Sequence, residues 1–406
     1  MPLTEREQCV CEEIRRRETA LLEDLRLHVG LPTGGRNLSA LDESRVRLSE
    51  RAIKLGARFD VLPGVARPDW LYGETPGLSP LPTAVCRRNG LASAGKELLI
   101  AGHLDTVHDP AGPFRTLSIA RDGKTATGPG CVDMKGGLVI ALAALEALEE
   151  AGEGINWTLL LNSDEETGSY HSAPAIHAEA ARVAAGGGLG IALEPATADG
   201  GLVVERAGSG QFLVEVRGKA AHVGRDYASG ISAVCELARV ILELEKLNEP
   251  TTGVIVNVGP LQGGIATNVV PDLARAWGNI RFPAPVTTEA VVADLKRMER
   301  TSVSGAIVRV EVNISRPAKP LTPDVRQFAG LIRAAAGDLG QPLPFSNTAG
   351  VCDGNLMQAA GLPTLDTLGV RGGGLHTPQE WIDLSSLVQR CQLLAVTMMR
   401  AREPLA

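Results

Sequence analysis

Glu97-Leu98-Leu99-Ile100-Ala101-Gly102-His103-Leu104-Asp105 is the stretch that decides the fold. A five-residue apolar run is too short for a helix, and it ends abruptly in two polar side chains. The pattern returns along the chain. Residues 157–161 form an apolar strand followed by Asp164-Glu165-Glu166. Residues 190–193 form another, ending in Glu194-Pro195, and residues 363–368 a fourth, followed by a glycine-rich loop and His376. Between the first two lies an apolar helix over 138–148, opened by Gly136-Gly137. Short apolar strands alternating with helices predict an α/β domain with a mostly parallel sheet. Ligand sites in such sheets form beyond the carboxyl ends of the strands, where these polar residues fall.

Residues 208–316 read differently. Strands over 211–216, 253–261, 273–282 and 306–315 and helices over 231–247 and 288–302 give the order β-α-β-β-α-β. That is the ferredoxin-like split unit. It interrupts the first pattern, so residues 1–207 and 317–406 are expected to form one discontinuous domain and 208–316 a second. Two domains also suit 406 residues, since single cores stop growing at about 250–300. Toward the N-terminus, residues 5–29 carry apolar positions at helical spacing and predict one amphipathic helix, with a second over 42–55. Residues 62–96 are rich in Pro and Gly, with strand-like pieces between.

The net charge is −7 and no basic stripe is interleaved with aromatics, which argues against nucleic acid and membrane surfaces as partners. No apolar run is long enough to span a bilayer and no signal peptide is visible, so a cytoplasmic protein is expected. The seven cysteines are scattered and read as reduced, mostly buried thiols.

The strand ends gather His103, Asp105, Asp133, Glu165, Glu166, Glu194 and His376. Each alone is weak: a His-x-Asp is usually structural and an Asp-Glu-Glu run usually a solvated turn. Together, five carboxylates need cations. Imidazole with carboxylate suits zinc, with cobalt or manganese as alternatives. Two metals about 3.5–4 Å apart need a bridging carboxylate and can activate one water, and an unligated carboxylate beside them can act as general base. Neighbours on an extended segment point to opposite sides, so one of Glu165 and Glu166 can ligate while the other faces a substrate.

At this point the chain resembles the M20 metallopeptidase family, and within it the glutamate carboxypeptidase branch. The matching pieces are residues 102–107, 128–137, 164–169, 194–195, 218–224 and His376 before Trp381-Ile382-Asp383-Leu384. The resemblance is also to acetylornithine and succinyl-diaminopimelate deacylases. It implies a zinc-peptidase-like catalytic domain carrying an inserted lid and dimerisation domain. It implies that His103 binds one metal, Asp133 bridges both, Glu166 and His376 hold the second, and Glu194 completes the first. Asp105 would then fix the tautomer of His103, and Glu165 would be the general base. His222 would reach a partner subunit's site in a homodimer and steady the oxyanion. Asn268 and Arg316 would contact a substrate carboxylate, and Gly350 with the Gly372-Gly373-Gly374 run would wall the site. The expected activity is hydrolysis of the amide of N-acyl amino acids or short peptides with a free C-terminal carboxylate. The alternatives are an N-acetyl or N-succinyl amino-acid deacylase, or a silent binding protein of the same fold.

Overall fold

A computed structural model of the chain describes residues 2–73, 79–91, 95–248, 251–284 and 286–403. Its central sheet has six strands in the order Arg58–Leu62, Thr83–Arg88, Asn156–Asn162, Glu97–His103, Leu189–Ala192 and Thr364–Leu365. The last four run parallel, and the first two pair antiparallel at one side. Leu98, Leu99, Ile100 and Ala101 are all essentially inaccessible. Burial on both faces explains why this strand reads as an unbroken apolar run rather than an alternation. Each such leucine contributes roughly 1.5–3 kcal/mol by leaving water.

Helices Lys135–Glu150 and Ser385–Ala401 cover one face, joined by the N-terminal helices, and Ala173–Ala185 with Asp353–Ala359 cover the other. The helix Lys135–Glu150 is apolar nearly all round because it lies between the sheet and the C-terminal helix. Its first turn approaches closely: a Cβ on Gly137 would lie 2.4 Å from the Leu193 carbonyl oxygen. That contact sets Asp133, two residues before the helix, beside Glu194.

The single helix expected over 5–29 is two, Glu5–Arg16 and Glu18–Val29, broken at Arg17. The first packs mainly on Ser385–Ala401 and the second on Lys135–Glu150, so the two apolar stripes need different axes. Arg17 anchors the break through Glu13 and Glu146.

The second sheet has five strands, all antiparallel: Ile255–Gly263, Leu273–Phe282, Gly208–Arg217, Ile307–Arg316 and Arg300–Thr301. Helices Ala233–Glu245 and Thr288–Lys296 complete the ferredoxin-like order, and Phe212, Val214, Leu237, Val240 and Val310 lie in a separate core. Leu273–Phe282 alternates buried and partly exposed positions along most of its length. The helix expected to reach 302 ends at Lys296, because Arg300 and Thr301 pair with Val308 and Ile307 as a hairpin. No described helix is long and apolar enough to cross a membrane.

Candidate metal centre and active site

His103 is the last residue of its strand, and Glu194 follows the neighbouring strand Leu189–Ala192. Asp133 lies in the turn before the helix Lys135–Glu150. Glu165 and Glu166 open a 3-10 turn, Glu165–Thr167, after strand Asn156–Asn162. The extended segment expected there is therefore a tight turn. The two side chains still diverge: Glu166 Oε2 is 3.2 Å from His376 Nε2, and Glu165 Oε1 accepts from Arg316 Nη2 at 3.1 Å. His376 has a φ of 62°, a left-handed conformation that a histidine holds only when its surroundings require it.

Asp133 lies between the two histidines. Its Oδ1 is 3.3 Å from His103 Nε2 and its Oδ2 is 3.4 Å from His376 Nε2. His103, Asp133 and Glu166 each offer a ligand atom within 4.8 Å of the others. Asp133 Oδ1 and Glu194 Oε1 are buried and accept no hydrogen bond from any of the described residues. Buried acceptors rarely stay unsatisfied. A hard or borderline cation would satisfy both, and the oxygen and imidazole donor set fits one.

Charge crowding explains the protonation pattern. Burial, then Asp133 and Glu165, push the Glu194 carboxyl well above its usual range. Burial lifts Glu165 to about 7, against the pull of Arg316 and with the push of Asp353. Burial alone would lower His103, yet Asp105 and Asp133 hold it well above its ordinary value. Contacts with Asp133 and Glu166 raise His376 to about 10. In the metal-free chain this imidazole is therefore protonated at pH 7. The raised value means that its contribution to stability is complete below pH 6.5 and is lost as pH climbs through about 10. Metal requires the neutral ring. Zinc titrated into chelated protein at pH 7 is thus expected to release about one proton or more. Calorimetry in buffers of different ionisation enthalpy measures this, and zero release would contradict the arrangement.

The Asp105 main-chain carbonyl, not its carboxylate, makes the short contact to His103 Nδ1, at 2.9 Å against 3.5 Å. The carboxylate instead accepts from the Glu165 and Glu166 N–H groups at 3.2 and 3.0 Å. Asp105 thereby ties His103 to the glutamate pair. Gly350, Gly372 and Gly373 line the cleft of about 540 Å³ that holds Asp133, Glu165, Glu166, Glu194 and His376.

Two residues were missed from sequence. Glu380 is buried, and its carboxylate accepts from the N–H groups of Gly130, Val132 and Asp133 at 2.8–3.0 Å. It also meets His108 Nε2 at 2.6 Å. The Glu380→Ala variant is expected to weaken metal binding about 10–100-fold by freeing the Asp133 turn. Competition with a chelator reads this, and unchanged affinity would refute it. The second is Arg281, which faces an adjoining cavity of about 380 Å³ shared with Glu165, Glu166, Tyr170 and His376. Its Nε donates to Asn279 Oδ1 at 3.2 Å; no carboxylate among the described residues pairs with it, and burial pushes its pKa down. Strand periodicity was the available signal, since 275, 277, 279 and 281 share the face opposite the buried positions.

Arg316 lines that same adjoining cavity, whereas His222 and Asn268 line neither cavity. Arg316 is fully buried and donates to Gly168 O, Glu165, Ser169 Oγ and Asp353. His222 and Asn268 are both exposed on the second sheet's domain, joined where Val223 N donates to Asn268 O at 3.0 Å. Neither lines the metal cleft of its own chain.

Histidines and carboxylates gathered at the carboxyl edge of a parallel sheet, with unsatisfied buried oxygens, define a metal-centred hydrolase. The chain belongs to peptidase family M20/M25/M40, which it matches over residues 99–400. It is 29% identical over 321 residues to carboxypeptidase G2 of Pseudomonas sp. (strain RS-16), covering 75% of this chain and 74% of that one. It is 28% identical over 326 residues to a succinyl-diaminopimelate desuccinylase of Methylobacterium nodulans, covering 73% and 78%. A tripeptidase from Staphylococcus aureus shares the fold with a TM-score of 0.71 and 24% identity, over 95% of this chain and 99% of that one.

Proposed function

We propose that the protein cleaves the amide of N-acyl amino acids or short peptides that carry a free C-terminal carboxylate. The observation that carries this is Asp133, whose two oxygens face two different histidines, His103 and His376. Two divalent ions, zinc before cobalt or manganese, would be held by His103, Asp133 and Glu194 and by Asp133, Glu166 and His376. When bound, they acidify a water and polarise the scissile carbonyl. Glu165 takes the proton from the attacking water and hands it to the leaving amine. Arg281 holds the substrate carboxylate through its planar fork. Arg316 positions Glu165 rather than the substrate. Likeness to a carboxypeptidase and to a desuccinylase supports this substrate class.

His222 accepts from Gly224 N at Nδ1, which leaves its Nε2–H free to donate. We read His222 and Asn268 as serving the cleft of a second copy in a homodimer formed through residues 208–316. Sedimentation that finds only monomer would contradict that reading.

The activity is tested by loading chelated protein with zinc, cobalt or manganese and assaying N-acyl amino acids and dipeptides. Turnover of none of them would sink the proposal. The Arg281→Met variant separates the substrate claim from the chemistry. Its KM for a carboxylate substrate is expected to rise about 10–100-fold, the worth of a charge-assisted contact. The matching carboxamide substrate should change little. Equal effects on both would remove Arg281 from the carboxylate site.

A further inference from the structure

A cavity of about 640 Å³ is lined by Arg15, Glu18, Ala198, Asp199, Arg371 and Arg390 among others. Its floor includes Arg390, from the C-terminal helix, which is only 1% exposed. The guanidinium donates to three main-chain carbonyls: Gly369 O at 2.9 Å, Thr367 O at 2.7 Å and Gly200 O at 3.3 Å. A guanidinium carries five N–H donors, so two remain. No carboxylate among the described residues pairs with it. Burial pushes its pKa down to about 9, and the charge of Arg371 acts in the same direction. Arg371 itself is neutralised by Asp383 at 2.7 Å. Bracing two turns accounts for the three bonds of Arg390 but leaves its charge uncompensated. A buried charge without a partner is costly, and an anion in the cavity would offset it.

We propose that this cavity is a second binding site, which takes a small carboxylate of amino-acid size with its carboxylate against Arg390. The volume falls in the range of small-molecule sites, about 300–1,000 Å³. Arg15, exposed on the cavity wall, adds a second cation with no carboxylate partner among the described residues. Glu18 and Asp199, also exposed there, suit an ammonium group and repel a dianion such as phosphate. The occupant would press on a shared wall. Ala198 lines both this cavity and the metal cleft, and Arg371 directly precedes Gly372 and Gly373 of that cleft.

Crystals of the metal-loaded protein soaked in L-glutamate, acetate or phosphate locate the ligand. Calorimetry on the same protein counts sites. Glutamate is expected to appear with its carboxylate on Arg390, as a site apart from the metals. Arg15→Glu should weaken that site about fivefold without unfolding the chain, as expected for one rim charge. Arg390→Met should abolish it; if that variant fails to fold, Arg15→Glu still decides. Water only or an adventitious ion only at Arg390, phosphate binding as tightly as glutamate, or unchanged affinity in Arg15→Glu would each overturn the proposal.

Discussion

The Glu165→Gln variant is expected to lose about 10²–10⁴-fold in kcat while holding its metals, the range a general base contributes. Glutamine is nearly isosteric, and its amide oxygen can still accept from Arg316 Nη2, as Oε1 does at 3.1 Å. What it lacks is the ability to take a proton. None of the contacts that join His103, Asp133, Glu166 and His376 to one another involves Glu165. The fold should not suffer either, since Asp353, Glu166 and Glu194 all repel the charge that is removed. The pH profile follows the same logic. The base acts when deprotonated, so activity rises with pH through its pKa. Burial places that value at about 7 in the metal-free chain, and bound cations favour the carboxylate, so the acid limb of the loaded enzyme lies below that. Metal analysis with single-turnover kinetics checks both halves. A variant that keeps more than about a tenth of wild-type kcat would refute the base assignment.

How much of this could be read from sequence depends on where each residue's constraint lies. The strand Glu97–His103 was legible because burial on both faces leaves an unbroken apolar run, and His103 was legible because it terminates that run. Leu273–Phe282 was legible with both boundaries intact because one buried face enforces strict alternation. Glu380 was not. Its three backbone partners lie 247–250 residues away, and nothing near it in sequence announces them. The break at Arg17 was hidden for a related reason: the apolar spacing on either side is helical, and only the two different packing partners force a bend. The Glu165/Glu166 divergence was foreseen on the wrong geometry, because the Asp105 carboxylate draws both N–H groups into a turn that no local propensity specifies.

Arg316 is where burial changes the chemistry that residue type alone implies, and its replacement is the second large effect. An arginine near a catalytic carboxylate invites a substrate role. Here both terminal nitrogens are engaged within the chain, by Gly168 O, Glu165, Ser169 Oγ and Asp353, and the side chain is 2% exposed. Asp353 in turn accepts from Asn162 Nδ2 and Ser169 Oγ, so one guanidinium joins the sheet edge, the Glu165 turn and the helix Asp353–Ala359. Arg316→Met fills much of the volume but strands two buried carboxylates without a cation. Breaking a buried pair from one side costs about 3–5 kcal/mol, and that loss is expected in denaturant unfolding of the metal-loaded protein. Catalysis should fall in kcat, because Glu165 loses its tether, with KM for the carboxylate substrate nearly unchanged. Arg316→Lys keeps the charge without the fork and should restore part of the stability but little of the rate. A substrate-binding arginine gives the opposite split, with KM raised, stability intact and the effect confined to substrates bearing the carboxylate. That outcome in Arg316→Met would return Arg316 to the substrate and leave Glu165 positioned by Asp105 alone.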